Sequence, residues 1–565
     1  MEQLATSGDG HVLLFHSRFR LQTETDLGGR GKIYRWQEGA WTRLAAAPDI
    51  IGFAFSPPDV FSPFLSMDGK VVGWQINVGC GLCQIIVVPP WSSEVYGVSL
   101  PATFPRGTVR MSANGRYFTA DSYPFGGAKY WDAATGAVAE VPVDSFARPV
   151  VREVANDGTV LLLITQPKDP SQNNSPGILA LWKPGSDPRP VYSENRVFGP
   201  TISADGGRVA FEAVVEGGPN DDQRTLVLLD TQTKERFSIA EMPPKDYRAT
   251  FFESFAKPVW DASGTKLVYR TFDDHAQPVA ISLWEAGTRE SRVLLTSSEG
   301  FSSAVISGDG RIIWAVTSTN RLLRLDLFTG LTDEILAPLG SVTGGTDGAG
   351  VPGSAILIRG AGFTRTQMAL DGDFQLPLVD AAPEGLWVQI PWEYASSSRG
   401  TRQVLIWSQN NPFEGVVNVV VTPEIELRLA TWEDPVTRIG YAKAVHQDFR
   451  SLVTPASPAR PGETVHVYLT GLGPLDQTVP TGAPGPFEPV AHPVTPLNCS
   501  LGRFLPQPLQ MPYLAYAAGM VGIYQADLTI PDNAPYGSPT LVCTASDARG
   551  SVHTAAANLS TTSVR

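Results

Sequence analysis

The chain has 565 residues with 43 basic and 56 acidic side chains, a net charge of −13 spread along its length, so it lacks the basic stripe that would neutralise phosphates and nucleic acid is excluded as a partner. No run of about 18 apolar residues is present, which excludes a transmembrane helix. Gly (54) and Pro (47) are abundant, charged residues make up only 18%, and helical periodicity is scarce, so the composition points to an all-β protein, and the length to about three or four domains.

From the N-terminus, a four-residue turn returns seven times. It reads Ser7-Gly8-Asp9-Gly10, Ser66-Met67-Asp68-Gly69, Ser112-Ala113-Asn114-Gly115, Ala155-Asn156-Asp157-Gly158, Ser203-Ala204-Asp205-Gly206, Asp261-Ala262-Ser263-Gly264 and Ser307-Gly308-Asp309-Gly310. Each copy is flanked by short apolar runs and reads as a hairpin: Asp or Asn bonds its own backbone, and the Gly after it takes positive φ without steric cost. The glycines are 59, 46, 43, 48, 58 and 46 residues apart, the period of a propeller or array. A further strand recurs in most repeats, as in Ile33-Tyr34-Arg35-Trp36, Ile178 to Trp182 and Ile281 to Trp284. Four strands per period of about 45 residues match a propeller blade.

This pattern, apolar strand, Ser-x-Asp-Gly, apolar strand, then strand-turn-strand, resembles the TolB-type or WD-repeat-like β-propeller blade. The resemblance implies a seven-bladed propeller over 1–338, closed by one innermost strand from the first few residues beside the last blade. It implies no chemistry, because the Asp and Gly serve the turn.

A Gly-rich stretch, 340–350, reads as the linker that ends the propeller. Residues 339–423 then carry short, regularly spaced runs (352–363, Trp387 to Trp392, Gln403 to Trp407, Val416 to Val421) that resemble an immunoglobulin-like β-sandwich of the IPT/TIG kind. Residues 424–565 read as a second immunoglobulin-like sandwich. The segments Ala456 to Val465, Tyr468 to Pro474 and Tyr516 to Pro531, with the upstream runs, resemble the C-terminal module of large exported proteins of Solibacter-type acidobacteria. That resemblance implies a secreted or surface protein. The first turn begins at Ser7, which leaves no room for a signal peptide, so the expectation is that one has been removed or that the protein stays inside the cell.

Four cysteines bear on the compartment. Cys80 and Cys83 form one close pair, while Cys499 and Cys543 lie on separate apolar β-like runs. A zinc site would want two close pairs, and a redox CxxC would want a βαβ unit. Disulfides Cys80–Cys83 and Cys499–Cys543 are therefore expected, in an oxidising compartment; the alternative is four buried or free thiols in a cytosolic protein.

No catalytic signature is present: no zinc-binding His-Glu-x-x-His, no Gly-x-Ser-x-Gly elbow, and Gly28 to Lys32 lacks the spacing of a phosphate loop. In a four-stranded blade, the loops between second and third strands share the face opposite the Asp-Gly turns, and here they are long and variable. Arg18, Arg30, Tyr123, Lys168, Arg224, Asp274 and His275 on these loops are the candidate ligand-binding residues, their ordinary role being solvated loop charge. Asp273-Asp274-His275 could offer oxygen and imidazole to a cation, but no cofactor or dedicated metal site is expected. The functional reading is a non-catalytic binding protein whose loop face meets a protein or glycan. The alternatives are a propeller lyase or hydrolase acting on polysaccharide, and a structural subunit self-assembling through its sandwiches.

Overall fold

The computed structural model describes residues 3–17, 19–21, 31–46, 59–77, 83–88, 109–121, 128–142, 148–165, 177–194, 196–214, 224–242, 256–273, 277–337, 341–346, 349–363, 367–371, 374–382, 385–396, 400–408, 411–422, 425–434, 437–502, 506–547 and 549–562. The chain is all-β, and among the described residues its one helical turn is the 3-10 turn Trp392–Ser396. It divides into two compact units, Met1–Pro338 and Leu339–Arg565.

In the first unit the described residues form seven antiparallel sheets, each a meander whose strands keep their chain order. The first runs Leu4–Thr6, Val12–Ser17, Lys32–Gln37 and Ala40–Ala46; the fifth Val197–Ile202, Arg208–Val214, Arg224–Asp230 and Arg236–Met242; the seventh Phe301–Ile306, Ile312–Thr317, Leu322–Asp326 and Thr332–Leu336. Burial falls from the inside outwards. Ile312–Thr317 is buried at every residue, whereas the outermost strand Glu290–Thr296 of the sixth sheet is largely exposed.

Each apolar cluster spans two consecutive sheets. Leu163 and Leu179 meet Val209 and Phe211 between the fourth and fifth, and Val268 and Leu283 meet Ile306 and Ile313 between the sixth and seventh. The last sheet returns to the first: Trp36 lies edge-on to Trp314 at 4.8 Å, and Trp314 Nε1 donates to Gly10 O at 3.2 Å. Leu4–Thr6 packs beside Phe301–Ile306. Sheets radially packed and closed in a ring make a β-propeller.

The turns close the same ring with backbone bonds. Gly8 N donates to Met67 O, Met67 N to Ala113 O, Asn156 N to Ala204 O, Ala262 N to Gly308 O, and Asp309 N back to Gly8 O. Between the fifth and sixth turns the guanidinium of Arg208 bonds Gly264 O at 2.5 Å. Within a turn the serine, which the sequence pattern left without a role, carries the circuit. Ser7 Oγ donates to Asp9 Oδ1 at 2.6 Å and accepts Val12 N at 3.0 Å, while Asp9 Oδ1 also accepts His11 N at 3.0 Å. Ser66, Ser203 and Ser307 repeat this, and all are buried, so each hydroxyl must be satisfied internally.

The sixth turn swaps the two residue types without losing the circuit. Asp261 stands where the serine should be, and its carboxylate accepts Ser263 Oγ at 2.6 Å and the backbone N–H groups of Thr265 and Lys266, both at 2.9 Å. Gly10, at φ +72°, shows why no other residue follows the acid: a Cβ there would sit 2.5 Å from that of Ile312.

In the second unit two pairs of sheets pack face to face. Ala355–Ala361 and Gly385–Gln389 face Gly400–Ser408 and Phe413–Val421 across Ile356, Ile358, Val388, Val404, Ile406 and Val419. Further along, Thr464–Thr470 and Tyr524–Thr529 face Leu497–Leu501 and Thr540–Ser546 across Val465, Leu469, Leu528 and Leu541. The segment expected as linker is partly sheet: Ser341–Thr346 pairs with Ala355–Ala361, because a Gly-rich stretch beside an unpaired apolar strand gains backbone bonds by joining it.

The two sheet pairs are welded. Ala355 N donates to Gly522 O at 2.8 Å, Thr470 Oγ1 to Ala355 O at 3.0 Å, and Gly471 N to Ser354 Oγ at 3.0 Å. Gln389, fully buried, donates through Nε2 to Tyr516 OH at 3.0 Å and accepts Gly482 N at 2.7 Å. Fully satisfied buried polar networks of this kind fix one mutual arrangement.

Candidate functional site

Two places on the propeller are candidates for a site: the face opposite the turns, and the cavity lined by the innermost strands. Of the residues expected on that face, Arg18, Arg30, Tyr123, Lys168, Asp274 and His275 lie outside the described residues, as does Cys80. Asp273, beside two of them, closes a local loop: its Oδ1 accepts Gln277 N at 2.9 Å. Among the described residues no group of three or more His, Cys, Asp or Glu stands together as a metal site.

Arg224 departs from expectation. It is not a solvated loop charge but the first residue of strand Arg224–Asp230, and it is 4% exposed. Its Nη1 lies 3.3 Å from Glu212 Oε2, and the guanidinium stacks on Phe198 at 3.7 Å from the ring centroid. Glu212 is fully buried and its other oxygen accepts Ala256 N at 2.7 Å, which ties the fifth sheet to the segment entering the sixth. A carboxylate inside the apolar run Val209–Val214 needs a countercharge, and Arg224, two residues from its cross-strand neighbour Leu226, supplies it. The signal in the sequence was Glu212 itself, a lone acid among apolar residues.

Other charged groups on the inner strands join sheet to sheet. Arg110 Nε donates to Arg152 O at 3.1 Å, from third sheet to fourth. Glu153 Oε2 accepts Thr201 Oγ1 at 2.6 Å and Ile202 N at 2.9 Å, from fourth to fifth. Arg270 Nη1 reaches Phe301 O and Ser302 O at 3.2 and 3.1 Å, from sixth to seventh. These bonds tie each sheet to the next.

The innermost strands and their turns line an open cavity of about 380 Å³. Its wall includes Phe64, Met67, Met111, Val259 and Val305 beside Arg110, Glu153 and Thr201. Burial pushes the Glu153 carboxyl above the usual carboxylate range, against the bonds from Thr201 and Ile202 and the nearby positive charge of Arg110. The channel can thus hold a polar group against an apolar wall.

In the second unit Cys499 and Cys543 face each other on antiparallel strands and form a disulfide, Cα to Cα 4.1 Å, across 44 residues of sequence. Cys83 opens strand Cys83–Val88.

No protein-family model matches the sequence, and no curated protein matches it either. Among solved structures the chain is similar to an oligogalacturonate lyase in complex with manganese, at 16% identity over 56% of this chain and 85% of that one, with a TM-score of 0.39. It is similar to TolB from Acinetobacter baumannii at 14% identity over 52% and 65%, TM-score 0.35. The β-propeller domain of the Trilobed protease from Pyrococcus furiosus is similar at 13% identity over 60% and 95%, TM-score 0.43. Identities and TM-scores this low carry nothing about function.

Proposed function

We propose that the protein is an exported, non-catalytic binding protein: a seven-bladed propeller that offers the face opposite its Asp-Gly turns to a protein or glycan partner. Residues 339–423 and 424–565 act as two immunoglobulin-like carriers, the first IPT/TIG-like, in the manner of the Solibacter-type module. The observation that supports this most is the difference between the two faces. On the turn face the side chains are spent on the ring itself, serine on aspartate and turn on turn. On the other, the connections between second and third strands run from four residues, Ser318 to Arg321, to eleven, 166–176, and fold stability does not ask for that inequality. A disulfide in the last sheet pair accords with an oxidising, extracellular setting.

The test is affinity electrophoresis and pull-down of the intact chain on pectin, xylan, chitin and peptidoglycan, with release of reducing or unsaturated ends measured in the same tubes. Retention without product fits the proposal. Product release selects the polysaccharide-degrading enzyme instead.

A further inference from the structure

In the last sheet pair, one outward sheet face gathers aromatic rings around a carboxylate. Along strand Thr464–Thr470 the side chains of Val465, Val467 and Leu469 enter the core, so His466 and Tyr468 point the other way. The register sets Asp527 beside His466 and Gln525 beside Tyr468 on strand Tyr524–Thr529, and Tyr513 of strand Gln510–Tyr516 beside Asp527. Two tyrosines therefore flank a carboxylate and an amide on one surface. The turn from His446 to Ser451 adds Phe449, whose ring stacks on His466 at 3.6 Å between centroids and 14° between planes. Phe449 remains 57% exposed, so the outer side of its ring is open to solvent.

Two observations set this face apart from an ordinary wet surface. Phe449 stands at φ +58°, a left-handed conformation that a bulky aromatic adopts only at a cost, and such strain gathers at functional sites. The polar atoms, for their part, are held in place but not used up. Asp527 Oδ1 lies 2.7 Å from His466 Nδ1 and accepts Gln525 Nε2 at 2.8 Å, which fixes both the carboxylate and the amide. Among the described residues no group bonds Asp527 Oδ2, Gln525 Oε1 or the two phenols, and 17% of the Asp527 side chain is exposed. Burial, and then the Asp527 charge, pushes both phenols above the ordinary tyrosine value, so they stay protonated and able to donate. The face thus sets two fixed acceptors and two donors beside an open aromatic ring.

We propose that this face binds an uncharged sugar ring of a glycan chain. A sugar ring carries hydroxyls at its rim, each both donor and acceptor, and apolar C–H groups on its faces. The hydroxyls suit Asp527 Oδ2, Gln525 Oε1 and the two phenols, while the C–H face lies on Phe449. An ammonium ion, which only donates, would leave the phenol hydrogens unmet. The site belongs to the second unit and does not rest on the loop-face reading of the propeller. A long polymer held at both places would lose avidity when either is removed, whereas a short oligosaccharide reports on one site.

The probes are cellotriose, xylotriose and tri-N-acetylchitotriose, titrated singly into the intact chain by calorimetry, with choline as the cationic comparison. Phe449→Gly removes the ring and suits the positive φ, so it should fold as well as wild type. Asp527→Asn keeps an acceptor for Gln525 and replaces the open oxygen by a donor. At least one trisaccharide is expected to bind wild type, with each variant weaker by about tenfold or more. Failure of all three sugars to bind overturns the proposal, as does choline binding more tightly than any of them. So does a folded variant that binds the sugar like wild type, an outcome that leaves the loop-face reading untouched; if Asp527→Asn does not fold, Phe449→Gly decides alone.

Discussion

Asn114 donates two bonds to Asn156 across two turns: Asn114 N to Asn156 Oδ1 at 2.7 Å, and Asn114 Nδ2 to Asn156 O at 3.0 Å. Here side chains supply the link that backbone groups supply between most neighbouring turns. That explains why the third turn carries Asn where its neighbours carry Asp. Its Oδ1 still accepts Ser112 Oγ at 2.6 Å, as an aspartate would, but only an amide can also donate to Asn156. Asn114→Asp should set a carboxylate oxygen against a carbonyl and destabilise the protein by about 1 kcal/mol, the usual worth of an exposed hydrogen bond, plus some repulsion. Urea unfolding should show Asn156→Ala costing a similar amount.

Arg224 and Glu212 form the most deeply buried ion pair described in the first unit. Arg224→Ala leaves the Glu212 charge uncompensated and should cost about 3–5 kcal/mol. Pairing Arg224→Met with Glu212→Gln should recover most of the loss, because the amide oxygen still accepts Ala256 N–H and the buried charge is gone. Denaturant midpoints of the two single variants and the double variant check this. An effect within about 0.5 kcal/mol, the ordinary cost of an exposed substitution, would show Arg224 to be a surface charge after all.

The disulfide closes a loop of 44 residues and joins two strands whose cysteines are buried in the core. Loop-closure entropy assigns it about 4 kcal/mol. Cys499→Ala with Cys543→Ala should lower the unfolding free energy of the second unit by that order, and reductant should do the same to wild type while leaving the variant unchanged.

Acid acts on the turns and on the channel with opposite signs. Burial pushes Asp9 and Asp68 up, but the bonds from Ser7 and His11 N–H, and from Ser66 and Lys70 N–H, outweigh it and hold both carboxyls below the ordinary range. Lys183 and Thr159 do the same for Asp157 against burial. Folded pKa below unfolded means stability that is present above about pH 4 and lost as pH falls through the folded values. Glu153 is shifted up by burial, so it subtracts stability above its folded pKa, and acid relieves that cost. Unfolding midpoints between about pH 3 and pH 8 should show Asp68→Asn flattening the acid limb. Glu153→Gln should gain on wild type as pH rises above the ordinary glutamate value.

Much of the propeller was legible because its repeat is local: Asp-Gly needs only neighbouring residues to make a turn, and apolar runs on both sides make the hairpin. The serine circuit was equally local and was missed, since Ser7 or Ser66 in a turn reads as filler until its hydroxyl is seen bonded to Asp9 or Asp68. Arg224 misled because Asn220-Asp221-Asp222-Gln223-Arg224 is one polar run in sequence, and only the strand register puts its last residue beside Glu212. The strand Ser341–Thr346 hid behind its glycines. The bonds from Arg110 to Arg152 and from Glu153 to Thr201 needed the sheets to be laid side by side.

The most direct test of the binding role exchanges the connecting loops. Replacing 166–176 and 215–223 by Asn-Gly hairpin turns leaves the flanking strands Val160–Thr165, Gly177–Trp182, Arg208–Val214 and Arg224–Asp230 in place. Asp68→Asn perturbs the opposite face as a control. Retention on the glycan or protein ligand that wild type binds should fall by about tenfold or more in the loop variant, with unfolding still cooperative, and should persist in Asp68→Asn. Undiminished binding by a folded loop variant, with loss in the folded turn variant, would contradict the account.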